Sequence, residues 1–380
     1  MGFDFLNPVL NRGFVSVSSK ELHAHLNGSI SNHLLEHIKA NSENLNESGN
    51  EAFLPVDCSG VLMNVNNHSV EAANVCNGKQ SDTRRSLKEC WSAFAKIHEV
   101  ITTPRALYVA TVNVIAEFSK ENVIYLELRT GPKKVHNIPS KLSYVESVVK
   151  GITDAQKRFP ILLKLLISID RKKGEKDAFE TVELAATVAA KYPEIVVGID
   201  VSGDPQYGNS IWIVNVMKEA RRRGFKISCH LPEIVNPDEA IAFLEFAPER
   251  LGHGQFLHPM YGGTAELWEL AKQKRIPVEA CISSNVASGM AVSVEDHIVK
   301  ILHQESLPYI ICTDDSGVFG TTLSNEYRKL LSVVQLNFQQ IQNLCLDAVA
   351  YSFATEGEKE YLNKIIQTWW LEADCASQAF

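Results

Sequence analysis

The stretch from Ile161 to Val201, ILLKLLISIDRKKGEKDAFETVELAATVAAKYPEIVVGIDV, contains the pattern that decides the fold. Two short runs rich in Ile, Leu and Val, Ile161–Ile169 and Ile195–Val201, flank an amphipathic segment, Glu180–Lys191. Runs of this length and composition are typical of strands buried on both faces, and the segment between them has a helical period. The stretch therefore predicts two parallel strands joined by a helix.

The same alternation of apolar runs and amphipathic segments continues along most of the chain. Helical patterns at Ile211–Arg223 and Thr264–Lys274 fill two of the later connections. Eight runs joined by helices predict an α/β protein with a closed (β/α)₈ TIM barrel. An open doubly wound sheet is the alternative, which periodicity alone does not exclude. The six other runs are Glu21–Leu26, Val123–Leu128, Phe225–Leu231, Arg250–Gly254, Pro277–Ile282 and Pro308–Thr313.

Two regions depart from a simple barrel. Residues 41–85 are rich in Asn, Ser and Gly with little periodicity, which predicts a polar insertion after the first strand. No linker divides the rest, so we expect a single domain over residues 1–380. Extra helices are predicted at about 86–99 and 104–120 after the insertion, and at Gln339–Phe353 and Gly357–Trp370 after the last strand.

The composition narrows the class of protein. The chain has 380 residues, 45% of them hydrophobic, and a net charge of −8, which argues against a general binder of nucleic acids or anionic membranes. No apolar run reaches the ~18 residues of a transmembrane helix, and no secretory signal is expected. Eight cysteines without a CxxC pair predict reduced, mostly buried thiols and a cytosolic location.

The first run places His23 and His25 at alternate positions, followed by a turn at Gly28. Side chains two residues apart in a strand point to the same face, so both imidazoles project into the barrel mouth. A single buried histidine is usually an ordinary core residue. Two on one face of one strand favour a shared metal ion.

Three later runs end in residues of the same kind. Run five ends at His230, run six at His253, and run eight at Asp314-Asp315. Active sites of TIM barrels form at the C-terminal ends of the strands, where all of these residues lie. Imidazole and carboxylate groups that leave one position open describe a catalytic zinc site, whereas a structural zinc site uses more cysteine. The alternative is that each is a polar residue at a strand end.

The motifs KELHAHLNGSI (20–30), SGDP (202–205), HLPEI (230–234), LGHG (251–254), SSN (283–285) and TDDSGVFGTTLSNEY (313–327) occur in this order. In their order and residues they resemble the adenosine deaminase family, within the metal-dependent amidohydrolases. The resemblance extends from Lys20 to about Ala354. It implies a zinc-dependent hydrolase that removes the amine from the six-position of a purine.

The resemblance also assigns roles to individual residues. Glu233 matches the acid that protonates the purine N1, and His253 matches the histidine beside the attacking oxygen. Asp315 matches the residue that bonds purine N7, and Gly203 matches the backbone at the purine edge. Zinc would lower the pKa of a water molecule to about 7. The implied ligands of one zinc ion per chain are His23, His25, His230 and Asp314.

Two departures from the family pattern are visible. The family carries Asp at the position of Asn27, near the nucleoside 5′-hydroxyl. A carboxylate there would repel a 5′-phosphate, whereas an amide can donate hydrogen bonds to it. The family's His-Ala-Gly-Glu is His230-Leu231-Pro232-Glu233 here, which keeps the spacing between the histidine and the acid.

The sequence also offers a site for the phosphate. In Ile101-Thr102-Thr103-Pro104, Thr103 is a good N-cap and Pro104 a good first residue of a helix. Helix N-termini bind phosphate through free N–H groups, and His98 lies one turn earlier. An ordinary helix cap is the alternative.

The resemblance favours one branch of the family, whose members deaminate N6-methyl-AMP to IMP and methylamine, and it adds His25 and Asp170 to the substrate contacts. Arg171, Lys172 and Lys173, which follow, are expected in a solvated loop. We expect a monomer whose partner is a small purine nucleotide, not nucleic acid or a membrane.

Three alternatives stay open. The first is an adenosine deaminase that acts on the free nucleoside. The second is a metal-binding barrel without catalysis, although Glu233 and His253 argue against it. The third is an amidohydrolase with two metal ions bridged by a modified lysine. The fourth run ends Gly198-Ile199-Asp200-Val201, without the lysine that such an enzyme needs.

Overall fold

The fold is an eight-stranded parallel barrel surrounded by helices. The computed structural model describes residues 19–41, 87–135, 137–206 and 211–378. The predicted insertion, 41–85, lies outside the described residues apart from its first residue. Neighbouring strands pair in chain order, which confirms the TIM barrel and excludes the doubly wound sheet. The strands are β1 (Ser19–His25), β2 (Val123–Thr130), β3 (Leu162–Asp170), β4 (Val196–Ser202), β5 (Lys226–Leu231), β6 (Arg250–His253), β7 (Val278–Ala280) and β8 (Tyr309–Ile311).

The barrel closes between its first and last strands just beyond the end of β8. Ala24 forms a parallel bridge with Asp314, whose N–H donates to the carbonyl oxygen of His23 at 2.8 Å. The buried carboxylate of Glu21 adds to the closure, because it accepts hydrogen bonds from the backbone N–H groups of His23 and Thr313 at 2.8 and 3.0 Å. The closure therefore brings β1 and Asp314 side by side.

Helices follow the strands as the alternating pattern predicts. Several helices had no individual prediction, among them Asn32–Ala40, which leads directly into the polar insertion, and Ser316–Phe319 and Leu323–Val333 after the last strand. The described helices are α1 (Asn32–Ala40), α2 (Leu87–Val100), α3 (Pro104–Lys120), α4 (Lys141–Gln156), α5 (Gly174–Lys191), α6 (Ile213–Arg222), α7 (Pro237–Phe246), α8 (Ala265–Lys274), α9 (Ile282–Ala287), α10 (Val299–Gln304), α11 (Ser316–Phe319), α12 (Leu323–Val333), α13 (Phe338–Tyr351) and α14 (Glu356–Gln378), with 3₁₀ turns at Arg171–Lys173 and Pro259–Tyr261.

The segment between α13 and α14 covers the N-terminal end of the barrel. The Phe353 ring packs against the guanidinium group of Arg250 at 3.7 Å, and the Phe353 N–H donates to Glu127 at 2.6 Å. The extra C-terminal helices therefore cover the barrel, as predicted. The candidate functional residues lie at the opposite, C-terminal end of the barrel. None of the helices in the described part of the chain is both long and apolar enough to cross a membrane.

Charged side chains occupy part of the barrel interior. Arg129 and Arg250 are completely buried and pair with Asp200, Glu279 and Glu127. The apolar core lies between the strands and the surrounding helices, as expected when helices cover a parallel barrel. The charges inside the barrel lie directly below the residues at its mouth.

Candidate active site

The structure brings together the residues that the sequence placed at strand ends. His23 and His25 belong to β1, His230 to β5 and His253 to β6, while Asp314 follows β8. The rings of His23 and His25 are 5.3 Å apart, as their alternate positions predict, and those of His23 and His230 are 4.7 Å apart. The five residues form one cluster at the C-terminal end of the barrel, which we call the mouth cluster.

The nearest polar atoms of the mouth cluster are three to four ångströms apart. His25 Nε2 lies 3.1 Å from His230 Nε2 and 3.4 Å from Asp314 Oδ1. His23 Nε2 lies 3.3 Å from the same Asp314 oxygen. Ligands of a tetrahedral zinc ion, with bonds of about 2.0–2.1 Å, lie about 3.3 Å from one another. These spacings fit a metal ion held by His23, His25, His230 and Asp314.

Distances between ligand atoms alone also allow other sets of metal ligands. Atoms of His23, His230, His253 and Asp314 lie within 4.8 Å of one another, as do atoms of His25, Asp200 and His230. We favour His25 over His253 as the fourth ligand, because His25 makes two of the shortest contacts. His253 Nε2 instead lies 3.8 Å from a carboxylate oxygen of Glu233.

Two buried carboxylates orient the histidines from below. His23 Nδ1 lies 2.6 Å from Glu279 Oε2, and His230 Nδ1 lies 3.1 Å from Asp200 Oδ1. Because Glu279 holds the Nδ1 proton of His23, the Nε2 atom of His23 keeps a lone pair for a metal ion. His23 Nε2 is buried and has no hydrogen-bond partner within the described part of the chain, so a metal ion would satisfy it.

The sequence analysis missed Glu279 and Asp200 as functional candidates. Both lie inside strands, with no motif around them that indicates a partner. The only available signal was an acidic residue within an otherwise apolar run, in Pro277–Ile282 and Ile195–Val201.

The pKa values of the mouth cluster depend on burial and on charged neighbours. Burial and Arg129 lower the pKa of His23, but Glu279 and Asp314 outweigh them and raise it to about 9. Burial lowers the pKa of His25 to about 3 and also lowers that of His253. Burial alone would raise the pKa of Asp314, but the nearby histidines, His23 foremost, hold it well below its usual range.

Two residues of the mouth cluster have unusual backbone conformations. His253 and Asp314 have φ values of 64° and 62°, in the left-handed region that non-glycine residues rarely adopt. The side chain of Asp314 is held by the Ser284 hydroxyl, which donates to its second oxygen at 2.6 Å. Strained backbone of this kind concentrates at functional sites.

Two further carboxyl groups line the mouth. Glu233 Oε2 and Asp315 Oδ1 are buried and lack a hydrogen-bond partner among the residues the structure describes. Burial and the charge of Asp314 raise the pKa of Asp315 well above its usual range. A Cβ atom on Gly28 would lie 1.6 Å from Asp315 Oδ1, so only glycine allows this packing.

The remaining predicted substrate contacts lie on the same side of the barrel. Asp170 ends β3, and a Cβ atom on Gly203 would lie 2.4 Å from its Oδ1, so the two residues are neighbours. Gly203 has a φ of 97°, which suits glycine. Asn27 Nδ2 donates to the Tyr144 hydroxyl at 3.1 Å.

The predicted helix start is confirmed as local structure. Thr103 is the N-cap of α3, its side chain accepts from the Ala106 N–H at 3.1 Å, and Pro104 is the first residue of the helix. Ile101 and Thr102 precede it, and His98 lies in the last turn of α2.

A cation that the sequence analysis missed lies near His98, in the last turn of α2. Lys133, in the loop after β2, is half-buried; burial lowers the pKa of His98, and the charge of Lys133 lowers it further. Burial and the charge of Lys173 lower the pKa of Lys133 to about 8. The local sequence gave no signal for it, because a lysine in a polar loop is usually solvated.

The expectation of a solvated loop after β3 was wrong for Arg171. Its guanidinium group is buried, pairs with Glu239 of α7 at 3.0 Å, and donates to the His230 carbonyl oxygen at 3.0 Å. The two residues are 68 positions apart in the sequence, so the local pattern does not predict that they pair. Arg171 therefore fixes the end of β5, where His230 lies.

The barrel and the mouth cluster define a TIM-barrel protein whose buried His/Asp residues fit a metal site. The family model described as adenosine deaminase matches residues 60–369. The N6-methyl-AMP deaminase of Homo sapiens is 35% identical over 347 residues, which cover 90% of this chain and 91% of that protein. The chain belongs to the adenosine deaminase family.

Solved structures of relatives agree with this assignment. The apo structure of the N6-methyl-AMP deaminase from Arabidopsis thaliana has a TM-score of 0.76 at 34% identity, covering 93% of this chain and 97% of that chain. A second Arabidopsis structure, in complex with IMP, has a TM-score of 0.77 at 33% identity and covers 94% and 98% of the two chains.

Proposed function

We propose that this protein is a hydrolase that deaminates N6-methyl-AMP to IMP and methylamine. Water adds to C6 of the purine, the bond between C6 and the exocyclic nitrogen breaks, and methylamine leaves. The observation that carries the proposal is the placement of Glu233 and Asp315 beside the mouth cluster, in a chain of the adenosine deaminase family. Relatives named N6-methyl-AMP deaminase support the choice of substrate.

The cofactor of this reaction is proposed to be one zinc ion per chain. His23, His25, His230 and Asp314 would hold it, which is supported by their spacing and by the buried, unpartnered Nε2 of His23. When bound, zinc supplies a Lewis acid that brings the pKa of a water molecule to about 7. Elemental analysis of purified protein is expected to find one zinc per chain, and loss of the metal in Asp314→Ala.

Glu233 is proposed as the general acid. Its carboxyl group lies beside His253, and its buried Oε2 is available for the purine N1. Proton transfer to N1 draws electrons from C6 as the attacking oxygen adds. His253 is proposed to lie beside the attacking oxygen.

Asp315 and Gly203 are proposed to hold the purine ring. N7 of a purine accepts hydrogen bonds only, so its partner must carry a proton. The raised pKa of Asp315 suits this role, and its Oδ1 is available. The backbone of Gly203 would meet the ring edge, where a side chain would collide with Asp170.

The 5′-phosphate is proposed to bind where α2, α3 and the loop after β2 meet. The backbone from Ile101 to Pro104 supplies the start of a helix, and His98 and Lys133 supply a donor and a positive charge. Asn27 would allow the phosphate to approach. His25 and Asp170 complete the proposed substrate contacts.

The rival function is deamination of free adenosine, and a substrate panel separates the two. N6-methyl-AMP, AMP and adenosine are incubated with the purified protein, and IMP, inosine and the released amine are measured by chromatography. We expect kcat/KM to be largest for N6-methyl-AMP. A preference for adenosine would establish the rival function.

The phosphate part of the proposal has its own test in Asn27→Asp. A carboxylate about 4 Å from a phosphate charge costs up to about 4 kcal/mol at an effective dielectric of 20, and solvent reduces this. We expect roughly 10²-fold weaker use of the nucleotide and much less change for the nucleoside. Asn343→Asp, an exposed site on α13, is the matched control. Equal losses for both substrates would contradict a phosphate near Asn27.

We also propose that the protein acts as a monomer in the cytosol. Among the described cysteines, Cys229, Cys281, Cys312 and Cys345 are buried free thiols, which suits a reducing compartment. Sedimentation analysis and fractionation of cells test the two parts separately.

A further inference from the structure

Behind the mouth cluster, three buried side chains form a line that leads away from the catalytic residues. His253 Nδ1 lies 2.9 Å from the side-chain amide of Asn285, in α9. The other end of that amide lies 2.9 Å from His297 Nε2. All three residues are buried, at 2% exposure or less. Nothing in the proposed reaction so far uses Asn285 or His297.

At the far end of the line, the hydrogen bond to His297 has a fixed donor and acceptor. The backbone N–H of Val299, the first residue of α10, points at His297 Nδ1 at 3.1 Å. A backbone N–H can only donate, so His297 Nδ1 must carry a lone pair. A neutral imidazole with a lone pair on Nδ1 carries its proton on Nε2. A doubly protonated His297 would place two hydrogens between the same nitrogens, and burial lowers the pKa of His297 to about 3.

The proton on His297 Nε2 determines the orientation of the Asn285 amide. With its nitrogen toward His297, the amide would set one N–H donor against another across 2.9 Å. The oxygen and nitrogen of an amide are assigned from the hydrogen bonds they make, and here only the oxygen can face His297. The structure places Oδ1 toward His253 and Nδ2 toward His297, and these hydrogen bonds require the two atoms to be exchanged, so that the amide nitrogen faces His253.

We infer that Asn285 and His297 fix the tautomer of His253, so that its proton is held on Nε2, the nitrogen that faces Glu233 and the mouth. The Asn285 N–H donates to His253 Nδ1, which must then be a lone pair. A second proton on Nδ1 would face the amide hydrogens. Asn285 and His297 are thus positioning residues that act through His253.

The consequence concerns the reaction, and it rests on the proposed deaminase function. With a proton on Nε2, His253 donates a hydrogen bond to the attacking oxygen as negative charge develops there. It has no lone pair at that atom with which to accept a proton. His253 therefore stabilises charge and orients the oxygen, and it is not the group that takes a proton from water.

Neutron crystallography of the deuterated, metal-loaded protein tests the inference without any assay of activity. We expect deuterium on Nε2 of both His297 and His253, and a deuterated amide group of Asn285 on the His253 side. Deuterium on His253 Nδ1, with Nε2 bare, would overturn the inference even if the protein deaminates its substrate. The proposed function could equally fail while this result stands.

Substitution at Asn285 gives a second, independent test. In Asn285→Asp, a carboxylate accepts from both neighbours, so His253 is expected to move its proton to Nδ1. ¹⁵N NMR of histidine side chains, with the His253 signal assigned from His253→Gln, is expected to show Nε2 changing from protonated to unprotonated. Asn215→Asp, exposed on α6, is the matched control and is expected to leave the signal unchanged.

Activity should follow the tautomer. Loss of a preorganised donor to a developing oxyanion typically costs about 10²–10³-fold in kcat. We expect Asn285→Asp to lower kcat by roughly 10²-fold with a much smaller change in KM. An Asn285→Asp protein in which the His253 tautomer is unchanged would refute the control by Asn285. A reversed tautomer with kcat within tenfold of wild type would refute the donor role of His253.

Discussion

His253 and Asp314 show how single residues carry the strain of this site. Each ends or follows a strand with a left-handed backbone, a conformation that costs about 1–3 kcal/mol for a non-glycine residue. The surrounding bonds hold them in place: Asn285 contacts the ring of His253, and Ser284 holds the carboxylate of Asp314. With this backbone conformation, both side chains reach the mouth cluster.

Glu233→Gln is the most direct test at the residue scale. The amide has nearly the same shape but cannot give a proton to the purine N1, and general acid catalysis contributes about 10²–10⁴-fold. We expect kcat to fall by at least 10²-fold while metal content and folding are unchanged. Glu245→Gln, exposed on α7, is the control. Activity within tenfold of wild type would mean that another group protonates the ring.

Gly28→Ala tests the packing of Asp315. The added Cβ would lie 1.6 Å from Asp315 Oδ1, so the carboxyl group must move away from the purine. We expect at least a tenfold loss of kcat/KM with the metal retained, because the three atoms nearest the added Cβ all belong to Asp315, which is outside the mouth cluster. In Gly357→Ala, the added Cβ meets nothing within 4 Å, which makes it the control. A fully active Gly28→Ala protein would exclude Asp315 as a precise contact.

At the scale of elements, the proposed phosphate site is shared by two helix ends and a loop. α3 contributes its N-terminus, α2 contributes His98, and the loop after β2 contributes Lys133. Each element would supply only part of the donors and the charge. The choice of nucleotide over nucleoside would therefore depend on how these three elements meet.

The lowered pKa of Lys133 predicts how nucleotide use depends on pH. Lys133 is charged below a pKa of about 8 and loses its charge as the pH rises through that value. We expect kcat/KM for the nucleotide to fall above about pH 8, while that for the nucleoside stays flatter, as steady-state assays from pH 7 to 10 would show. Lys133→Arg keeps its charge and should remove the decline. A decline that persists in Lys133→Arg would rule out Lys133 as its source.

At the scale of the whole molecule, a buried ionic network supports the site. Arg129 pairs with Asp200 at 2.9 Å and with Glu279 at 3.0 Å, and these are the carboxylates behind His230 and His23. Burial would raise the pKa of both carboxyl groups, but Arg129 and neighbouring charges hold each well below its usual range. The charges that orient the mouth cluster therefore also belong to the centre of the barrel.

Arg129→Met should destabilise the protein strongly. It removes the positive charge that Asp200 and Glu279 share, and breaking a buried ion pair by removing one partner costs about 3–5 kcal/mol. We expect that loss in the free energy of unfolding from urea denaturation at pH 7. Arg328→Met, at an exposed residue, is the control. A loss below 1 kcal/mol would show that the network is not a stabilising unit.

The sign of the pH dependence follows from the same carboxylates. Their pKa values are lower in the folded protein than the unfolded values of about 4, so their contribution to stability is present at neutral pH. It is lost as the pH falls through the lowered folded values. Arg129→Met should therefore flatten the acid side of the stability profile.

The local sequence pattern was enough to predict the barrel architecture and part of the candidate active site. The apolar runs predicted the strands because burial on both faces of a parallel sheet demands continuous Ile, Leu and Val. The alternation in the first run placed His23 and His25 on one face, and Thr103-Pro104 correctly predicted the start of α3. These features depend on neighbours within a few positions of one another.

Tertiary structure alone decided which distant side chains meet. Glu279 reaches His23 across 256 residues, and Arg171 pairs with Glu239 instead of lying in solvent. The orientation of Asn285 depends on a backbone N–H fourteen positions away, reached through His297. Such partners leave no local period or motif, because buried charges and amides are satisfied by whatever the closed barrel brings beside them. The sequence by itself therefore determined the barrel and the histidines at its mouth, and the packing of the barrel decided how their protons are held.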